Sequence, residues 1–377
     1  MSSEPGSNLG AGPVKVLHIL QSLGYGGMEN RIGRLARGLD PQAFRVDVLT
    51  LRPGAPGSEA MAEGLRHTYF PIASGLHPMA IWKLARHIRR GGYRIVHTHN
   101  WSSMFYGVLA GLLAFRPLII HGEHGLNRAD LAGIPWKRLW AQRILARLCH
   151  ALVPVNSVIA AHMREHWKLP AERLDVINNG VDLERFRVAT PPAGFVLGMV
   201  GRLDDVKDIG TALGAMALLR ARPANRDIKL VLVGDGRLAA TLKAEAEKMG
   251  VAGAVEFAGG HKDVENWYPR FHVYMNTSVY EGMSNTLLEG MACGLPLIVS
   301  RVPGNASWLT EKENALFFEP RDAQGLADRI RELREHAELR AAMGKRNRER
   351  VERDFDNKRF LEIYAGFYRR LLGVGKV

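Results

Sequence analysis

The sequence predicts an α/β protein made of two doubly wound, parallel-sheet domains. Three observations carry this. Apolar strand-like runs with little polar alternation recur between helical stretches, the pattern of a parallel sheet covered on both faces. The alternation breaks at "RFRVATPPAGF" (185–195), which has two prolines and no periodicity, and then starts again. A chain of 377 residues also exceeds one comfortable hydrophobic core.

In the first half, "VKVLHIL" (14–20) is the opening strand, followed by the glycine loop "SLGYGGMEN" and a helix over 31–39. "FRVDVLTL" (44–51), "YRIVHTHN" (93–100), "PLIIH" (117–121) and "ALVPVN" (151–156) read as further strands, with helices at 77–90 and 103–113. The run "YGVLAGLLAF" is about half of the ~20 apolar residues a membrane-spanning helix needs, so it reads as a core helix. In the second half, strands "FVLGMVG", "IKLVLVGDG", "VEFAGG", "VYMNTS" and "LPLIVS" alternate with helices at 209–219 and 237–249. Helices at 323–335 and 338–354 close the pattern, and "NKRFLEIYAGFYRRLL" (357–372) has one apolar stripe. The expected organisation is a small, polar and disordered tail (1–13), a first domain (14–188), a second (189–355), and a terminal helix (356–377) returning to the first. Two such domains facing each other are expected to form a deep cleft at their strand C-termini.

A formal charge of +13 implies an anionic partner: nucleic acid, a phospholipid surface or a phosphorylated small molecule. A nucleic-acid reader gathers basic residues with stacking aromatics on one face, whereas the arginines here are spread over the chain. No nucleic-acid partner is therefore expected, and a basic nucleic-acid-binding protein is kept as a rival class. Two cysteines, Cys149 and Cys293, suit a reducing compartment, and with no secretory pattern at the start the expectation is cytoplasmic. One stretch, "WKRLWAQRILAR" (136–147), mixes basic residues with two tryptophans. It fits an anionic membrane face as well as an ordinary amphipathic domain helix.

The segment "VYEGMSNTLLEGMACGLPLIVS" places Glu281 ahead of a helix and Glu289 inside it. Ser284 or Asn285 suits the helix cap, and the exposed backbone N–H groups of a helix start suit a phosphate. A carboxylate accepting two hydrogen bonds matches a vicinal diol. The plain alternative is one capping and one surface glutamate. "GYGGMEN" opens the first helix, and Gly26 and Gly27 either admit a phosphate or sugar closely or simply make a tight turn. Histidines crowd two strand ends, His97 and His99 in "IVHTHN" and His121 and His124 in "IIHGEHG". A metal cluster is one reading of them, but with no helical His pair and no cysteine nearby no metal is expected. "DFD" at 354–356 reads as a cap of the last helix.

Taken in order, "EGMSNTLLE" resembles the E-x7-E motif of retaining GT-B glycosyltransferases of family 4 (group 1), and "VGRLDDVKD" resembles the family's G-R-x4-K element. "VINNGVD" and "VGDG" are similar to its N-G-V-D turn and V-G-x-G strand end, and "GGMEN" and "HGEHG" resemble the sugar transferases of exopolysaccharide and exosortase (PEP-CTERM) systems. The resemblance spans nearly the whole chain and implies a GT-B fold. It implies a hexosyltransferase that moves sugar from a UDP- or GDP-linked donor to a saccharide or lipid-linked acceptor with retention, in exopolysaccharide or cell-envelope synthesis. A sugar-nucleotide epimerase of the same fold is the nearer rival.

By the same resemblance, Arg202 and Lys207 clasp the donor diphosphate, Glu281 touches the sugar hydroxyls, and Glu289 binds ribose. Gly282, Met283, Ser284, Asn285 and Thr286 complete the donor site, His124 meets the transferred sugar, and His99 and Asn100 line the acceptor side. Fixed cations there stabilise the leaving diphosphate in place of a metal, so no cofactor is implied. Peripheral inner-membrane contact would account for the basic surplus. The chain departs from the family at Ala306 and Ser307, where a glutamate is frequent, and at Asn314-Ala315, where asparagine-glycine is.

Overall fold

The apolar runs become two six-stranded, all-parallel sheets. A computed structural model describes residues 12–24, 26–54, 62–73, 75–115, 117–125 and 133–373. Most of the tail expected to be disordered lies outside those residues. The chain divides into two units, one of residues 1–179 with 358–377 and the other of residues 180–357. The sequence boundary at 188/189 falls later than the 179/180 division.

The N-terminal sheet contains β1 (Val14–Leu20), β2 (Phe44–Thr50), β3 (Arg66–Tyr69), β4 (Ile95–His99), β5 (Leu118–Glu123) and β6 (Ala151–Pro154). Its spatial order is β3-β2-β1-β4-β5-β6. Around it lie α1 (Gly27–Gly38), α2 (Pro78–Gly91), α3 (Asn100–Ala114), α4 (Trp136–Leu148) and α5 (Ser157–Trp167). The second sheet contains β7 (Phe195–Val200), β8 (Ile228–Val233), β9 (Val255–Gly259), β10 (Val273–Asn276), β11 (Leu297–Ser300) and β12 (Ala315–Phe318). Its order, β12-β11-β10-β7-β8-β9, is the same winding scheme repeated. Helices α6 (Ile209–Arg220), α7 (Ala239–Lys248), α8 (Asn285–Ala292), α9 (Pro303–Ala306), α10 (Ala323–Glu335) and α11 (Ala337–Asp354) belong to this unit.

The last helix, α12 (Asn357–Leu371), joins the N-terminal unit. Its stripe of Phe360, Tyr364, Phe367 and Tyr368 is buried with Val14, Val16, Phe44, Ile95 and Ile120 on one sheet face. Strand side chains alternate, so Leu17, Ile19 and Val96 pack on the other face, against α2 and α3. "DFD" is split by this geometry. Asp354 ends α11 and pairs with Arg353 at 2.8 Å, and Asp356 precedes α12.

Winding reverses between β1 and β4 in one sheet and between β7 and β10 in the other. At such a point the connections leave in opposite directions and open a crevice at the strand C-termini, where doubly wound folds bind ligands. A polar cluster sits at each of these two points.

Candidate functional site

In the C-terminal unit, β7 ends next to Gly201 and β8 ends next to Gly234, and the loop carrying Arg202 and Lys207 crosses directly over the second of these ends. A Cβ on Gly234 would lie 1.9 Å from the carbonyl oxygen of Gly201, and one on Gly236 would lie 2.4 Å from that of Leu203. The glycines of "VGDG" are thus explained by close backbone approach. Main-chain bonds from Gly201 N to Val233 O (2.9 Å) and from Leu203 N to Asp235 O (3.0 Å) hold the crossing. The loop's far end is tied to the segment after β10, where Thr277 Oγ1 donates to Lys207 O (2.6 Å) and Val279 N to Val206 O (2.9 Å).

This latch brings Lys207 to Glu281. The Lys207 ammonium donates to Glu281 Oε1 at 2.6 Å, and the same oxygen accepts from Ser278 Oγ at 2.7 Å and Asn276 Nδ2 at 3.0 Å. Asn305 on α9 in turn donates to Asn276 Oδ1 at 3.2 Å. Burial alone would raise the Glu281 pKa, but the Lys207 charge and the three donors outweigh it and hold the carboxyl below its usual range. A fixed carboxylate and ammonium therefore stand together beside a recess lined by Gly201, Arg202, Tyr274, Asn276 and Ser278. Arg202 is two-thirds exposed (67%) at this rim, with Asp204 at 3.3 Å.

Glu289 sits one turn into α8, buried, and accepts from Tyr268 Oη at 2.7 Å. Burial and the neighbouring carboxylate push the Tyr268 phenol well up, so it stays a donor. Met283, Ser284 and Asn285 are buried at the helix start, while Gly282 and Thr286 are partly exposed. Ser284 takes the cap position that the sequence predicts, yet its side chain does not cap. Its hydroxyl lies 3.1 Å from that of Thr286 instead.

In the N-terminal unit, Gly26 caps α1 in extended conformation and Gly27 is its first residue. The helix starts four residues before the sequence expectation, because the glycines continue into helix instead of ending as loop. His18 and His97 are register partners on β1 and β4, and His99 pairs with Gly122 of β5. All three rings therefore point to the sheet face covered by α1 and α12. His18 Nδ1 lies 2.9 Å from His99 Nε2, and His99 Nδ1 lies 2.9 Å from His124 Nε2. Tyr368 Oη on α12 is 2.9 Å from His97 Nδ1 and 3.2 Å from His18 Nε2. His99, expected on the acceptor side, is itself buried (1% exposed) and reaches outward through half-buried His124. The reason is its inward strand position. Asn100 stays nearby, accepting from the His124 backbone N–H at 3.1 Å. His121 turns elsewhere, to Thr98 at 2.9 Å.

Burial drives these histidines to the neutral form. His18 falls to about 3, with the Arg31 guanidinium adding to the effect, and His97, His99 and His124 are all held well below the usual range. Arg31 is a buried cation on α1. It donates to Asn179 Oδ1 (2.7 Å), Ile177 O (2.8 Å) and Tyr364 Oη (2.7 Å). Among the described residues, His18, His97 and His99 form the group close enough to hold a metal, with nitrogens within 4.8 Å of one another. Those of His18 and His99 are hydrogen-bonded to each other.

Sequence reasoning missed Asn276, Ser278, Asn305, His18, Arg31 and Tyr368. Polar residues placed immediately after an apolar strand ("YMNTS"), or singly within one ("VLHIL"), were the available signals.

Two family models match. One, Glycosyl transferases group 1, covers residues 181–350, and the other, Glycosyltransferase Family 4, covers residues 25–185. The chain belongs to the group 1 glycosyltransferases. It is 28% identical over 306 residues to EpsF of Bacillus subtilis, named as a glycosyltransferase, covering 76% of this chain and 79% of that one. It is 26% identical over 259 residues to an Escherichia coli UDP-Gal:alpha-D-GlcNAc-diphosphoundecaprenol alpha-1,3-galactosyltransferase, covering 65% and 66%. Among solved structures, HepE of Anabaena in complex with UDP superposes with a TM-score of 0.82 at 19% identity, covering 95% of this chain and all (100%) of that one. The fold is therefore GT-B, and this glycosyltransferase is a sugar-transferring enzyme.

Proposed function

We propose that this glycosyltransferase moves a hexose from a nucleoside-diphosphate sugar, UDP- or GDP-linked, to a saccharide or lipid-linked saccharide of a cell-envelope glycan, with retention. The observation that carries the donor reading is the Lys207–Glu281 pair beside the Arg202 rim, at the strand C-termini where β7 and β10 diverge. An ammonium and a guanidinium there suit a diphosphate, and stabilising its growing charge from fixed positions costs little reorganisation. In this reading Arg202 and Lys207 hold the diphosphate. Glu281 accepts from sugar hydroxyls, Glu289 from the ribose, and His124 meets the transferred sugar. The departing phosphate oxygen takes the acceptor's proton, and the protein cations act where a metal otherwise would. Supporting the donor class is the relative solved with UDP, and supporting a lipid-linked acceptor is the relative named for a diphosphoundecaprenol substrate.

A specific observation favours peripheral membrane contact. Helices α2, α3 and α4 pack side by side on one face of the N-terminal sheet and contain no Asp or Glu but eight Lys or Arg. Trp136, Trp140, Ile144 and Leu148 form an exposed stripe at i, i+4 spacing along α4, with Met79 and Trp82 exposed on α2 and Leu113 on α3. This combination fits an anionic lipid surface. No helix among the described residues is long and apolar enough to cross a membrane.

The direct experiment offers purified enzyme a panel of UDP- and GDP-sugars with a lipid-linked saccharide extract, and reads product mass and anomeric configuration. A mass increment of one hexose with retained configuration is expected. Failure to consume any nucleotide sugar, or inversion, would sink the proposal.

A further inference from the structure

We propose that Tyr368 is a positioning residue for His124, ordering through His18 and His99 the proton that His124 carries so that it faces away from the ladder, on Nδ1. The proposal rests on the reading of His124 as the group that meets the transferred sugar.

Four contacts run in series from His97 Nδ1 to Tyr368 Oη, to His18 Nε2, from His18 Nδ1 to His99 Nε2, and from His99 Nδ1 to His124 Nε2, at 2.9, 3.2, 2.9 and 2.9 Å. Each neutral imidazole has one N–H and one bare nitrogen. A series of such rings is satisfied only if every proton points the same way, so just two orderings exist. In the first, His97 Nδ1–H donates to Tyr368, the phenol donates to His18, His18 to His99, and His99 to His124 Nε2. The His124 proton is then on Nδ1. In the second, every donor and acceptor is exchanged, and His124 Nε2–H donates inward.

His97 decides between them. Its Nε2 is buried and has no hydrogen-bond partner among the described residues. The first ordering leaves a bare nitrogen there, whereas the second leaves an N–H without an acceptor. Orphaned buried donors are the rarer arrangement. The first ordering is therefore preferred, and His124 offers its outer edge as a hydrogen-bond donor. A donor suits an oxygen of the transferred sugar and leaves proton abstraction to the departing phosphate.

Gly122 makes the arrangement possible. A Cβ there would lie 2.9 Å from His99 Nδ1, 3.2 Å from His124 Nε2 and 3.2 Å from His97 Nε2, so any side chain would push the rings apart. Residues from β1, β4, the segment after β5 and α12 thus contribute to one line of protons. The helix that closes the unit reaches the half-buried His124 through its Tyr368 hydroxyl.

The test is long-range 15N–1H correlation of the full chain, with His124→Gln used to assign its ring, alongside steady-state kinetics of Tyr368→Phe. The parent should show His124 protonated at Nδ1 and bare at Nε2. In Tyr368→Phe, which keeps the ring and loses the hydroxyl, the His124 signals should move toward a mixed tautomer. kcat should fall about tenfold with donor KM little changed, since a wrongly ordered imidazole costs rate more than binding. His18→Asn breaks the next rung and should reproduce the shift should Tyr368→Phe fold poorly. The proposal is overturned by a parent His124 protonated at Nε2, by stoichiometric metal bound at His18, His97 and His99 of the purified chain, or by Tyr368→Phe leaving spectrum and kcat unaltered. A His124→Gln enzyme with the parent transfer rate would instead remove the role given to His124, while the spectra still decide the proton order.

Discussion

The two switch points of this glycosyltransferase share a winding scheme and differ in chemistry. Where β1 and β4 diverge, the polar groups are imidazoles and a phenol, neutral and bonded to one another. Where β7 and β10 diverge, they are an ammonium and a carboxylate held at 2.6 Å. Burial weighs on both, and the partners explain the contrast. The imidazoles beneath α12 face one another and the Arg31 guanidinium and stay neutral, whereas the burial of Glu281 is outweighed by the Lys207 ammonium and its other hydrogen-bond donors. The same topology thus supplies one site that can offer oriented neutral hydrogen bonds and another that can balance a charged ligand.

The largest expected effect breaks the ionic side. Lys207→Ala leaves the Glu281 carboxylate without its cation, and Glu281→Gln removes the charge but keeps the shape. Both should lower kcat by about 10²–10³, the usual cost of losing a preorganised electrostatic group, measured in the donor-panel assay with circular dichroism confirming the fold. Rates within twofold of the parent would contradict the role.

Acid should break the neutral side. His18 titrates near 3 when folded against an ordinary value of 6.5, so between those pH values the unfolded chain binds more protons. Stability then falls as pH drops through that window, and His97, His99 and His124, shifted the same way, steepen the loss. Each can contribute up to about 1.4 kcal/mol per pH unit. Glu281, with its depressed folded value, is stabilising above the ordinary carboxylate range and loses this only at lower pH. Urea melts at pH 7 and 5 should show a markedly lower midpoint at pH 5, and a flat profile would mean that the histidines are not buried neutral.

A third expectation separates binding from stability within the C-terminal unit. Glu289→Ala leaves the buried Tyr268 hydroxyl only the longer contact to Thr286 O at 3.4 Å in place of its 2.7 Å acceptor, and should cost about 1–3 kcal/mol in denaturant melts. It should also weaken nucleotide binding in titration calorimetry. Glu289→Gln, which can still accept from Tyr268, should restore most of the stability and less of the binding. Unchanged nucleotide affinity in both variants would end the ribose assignment.

The smallest effect is on the lipid-facing reading. Trp136→Ala with Trp140→Ala, both exposed (68% and 56%), should reduce co-sedimentation with phosphatidylglycerol vesicles several-fold while leaving transfer to a soluble saccharide intact. Equal binding of parent and variant would remove that face from consideration.

Much of the framework was legible because buried parallel strands are written as continuous apolar runs. The expected strands at 14–20, 44–51 and 228–236 and the helix at 323–335 coincide closely with β1, β2, β8 and α10. The elements missed were short or weakly patterned. β3 ("RHTY") is largely exposed, β12 ("ALFF") is four residues long, and α5 was not anticipated after "ALVPVN". For the sites, motif spacing singled out Lys207 and Glu281 separately, but their pairing depends on a latch between loops far apart in sequence. The histidine crowding at 97, 99, 121 and 124 was visible. The ladder was not, because its other members are a lone strand histidine and a tyrosine delivered by the last helix. Register and chain return decide such contacts, and neither is written locally.

The other roles proposed for this enzyme depend on Lys207 and Arg202 of the C-terminal unit holding the donor's diphosphate. Calorimetric titration of UDP, GDP and ADP into the parent and into Lys207→Ala tests it most directly. The parent should bind at least one of the three, and the variant should lose at least about tenfold in affinity for it, as expected when a charge-assisted contact is removed. Equal affinity in both proteins, or no binding of any diphosphate by the parent, would contradict it.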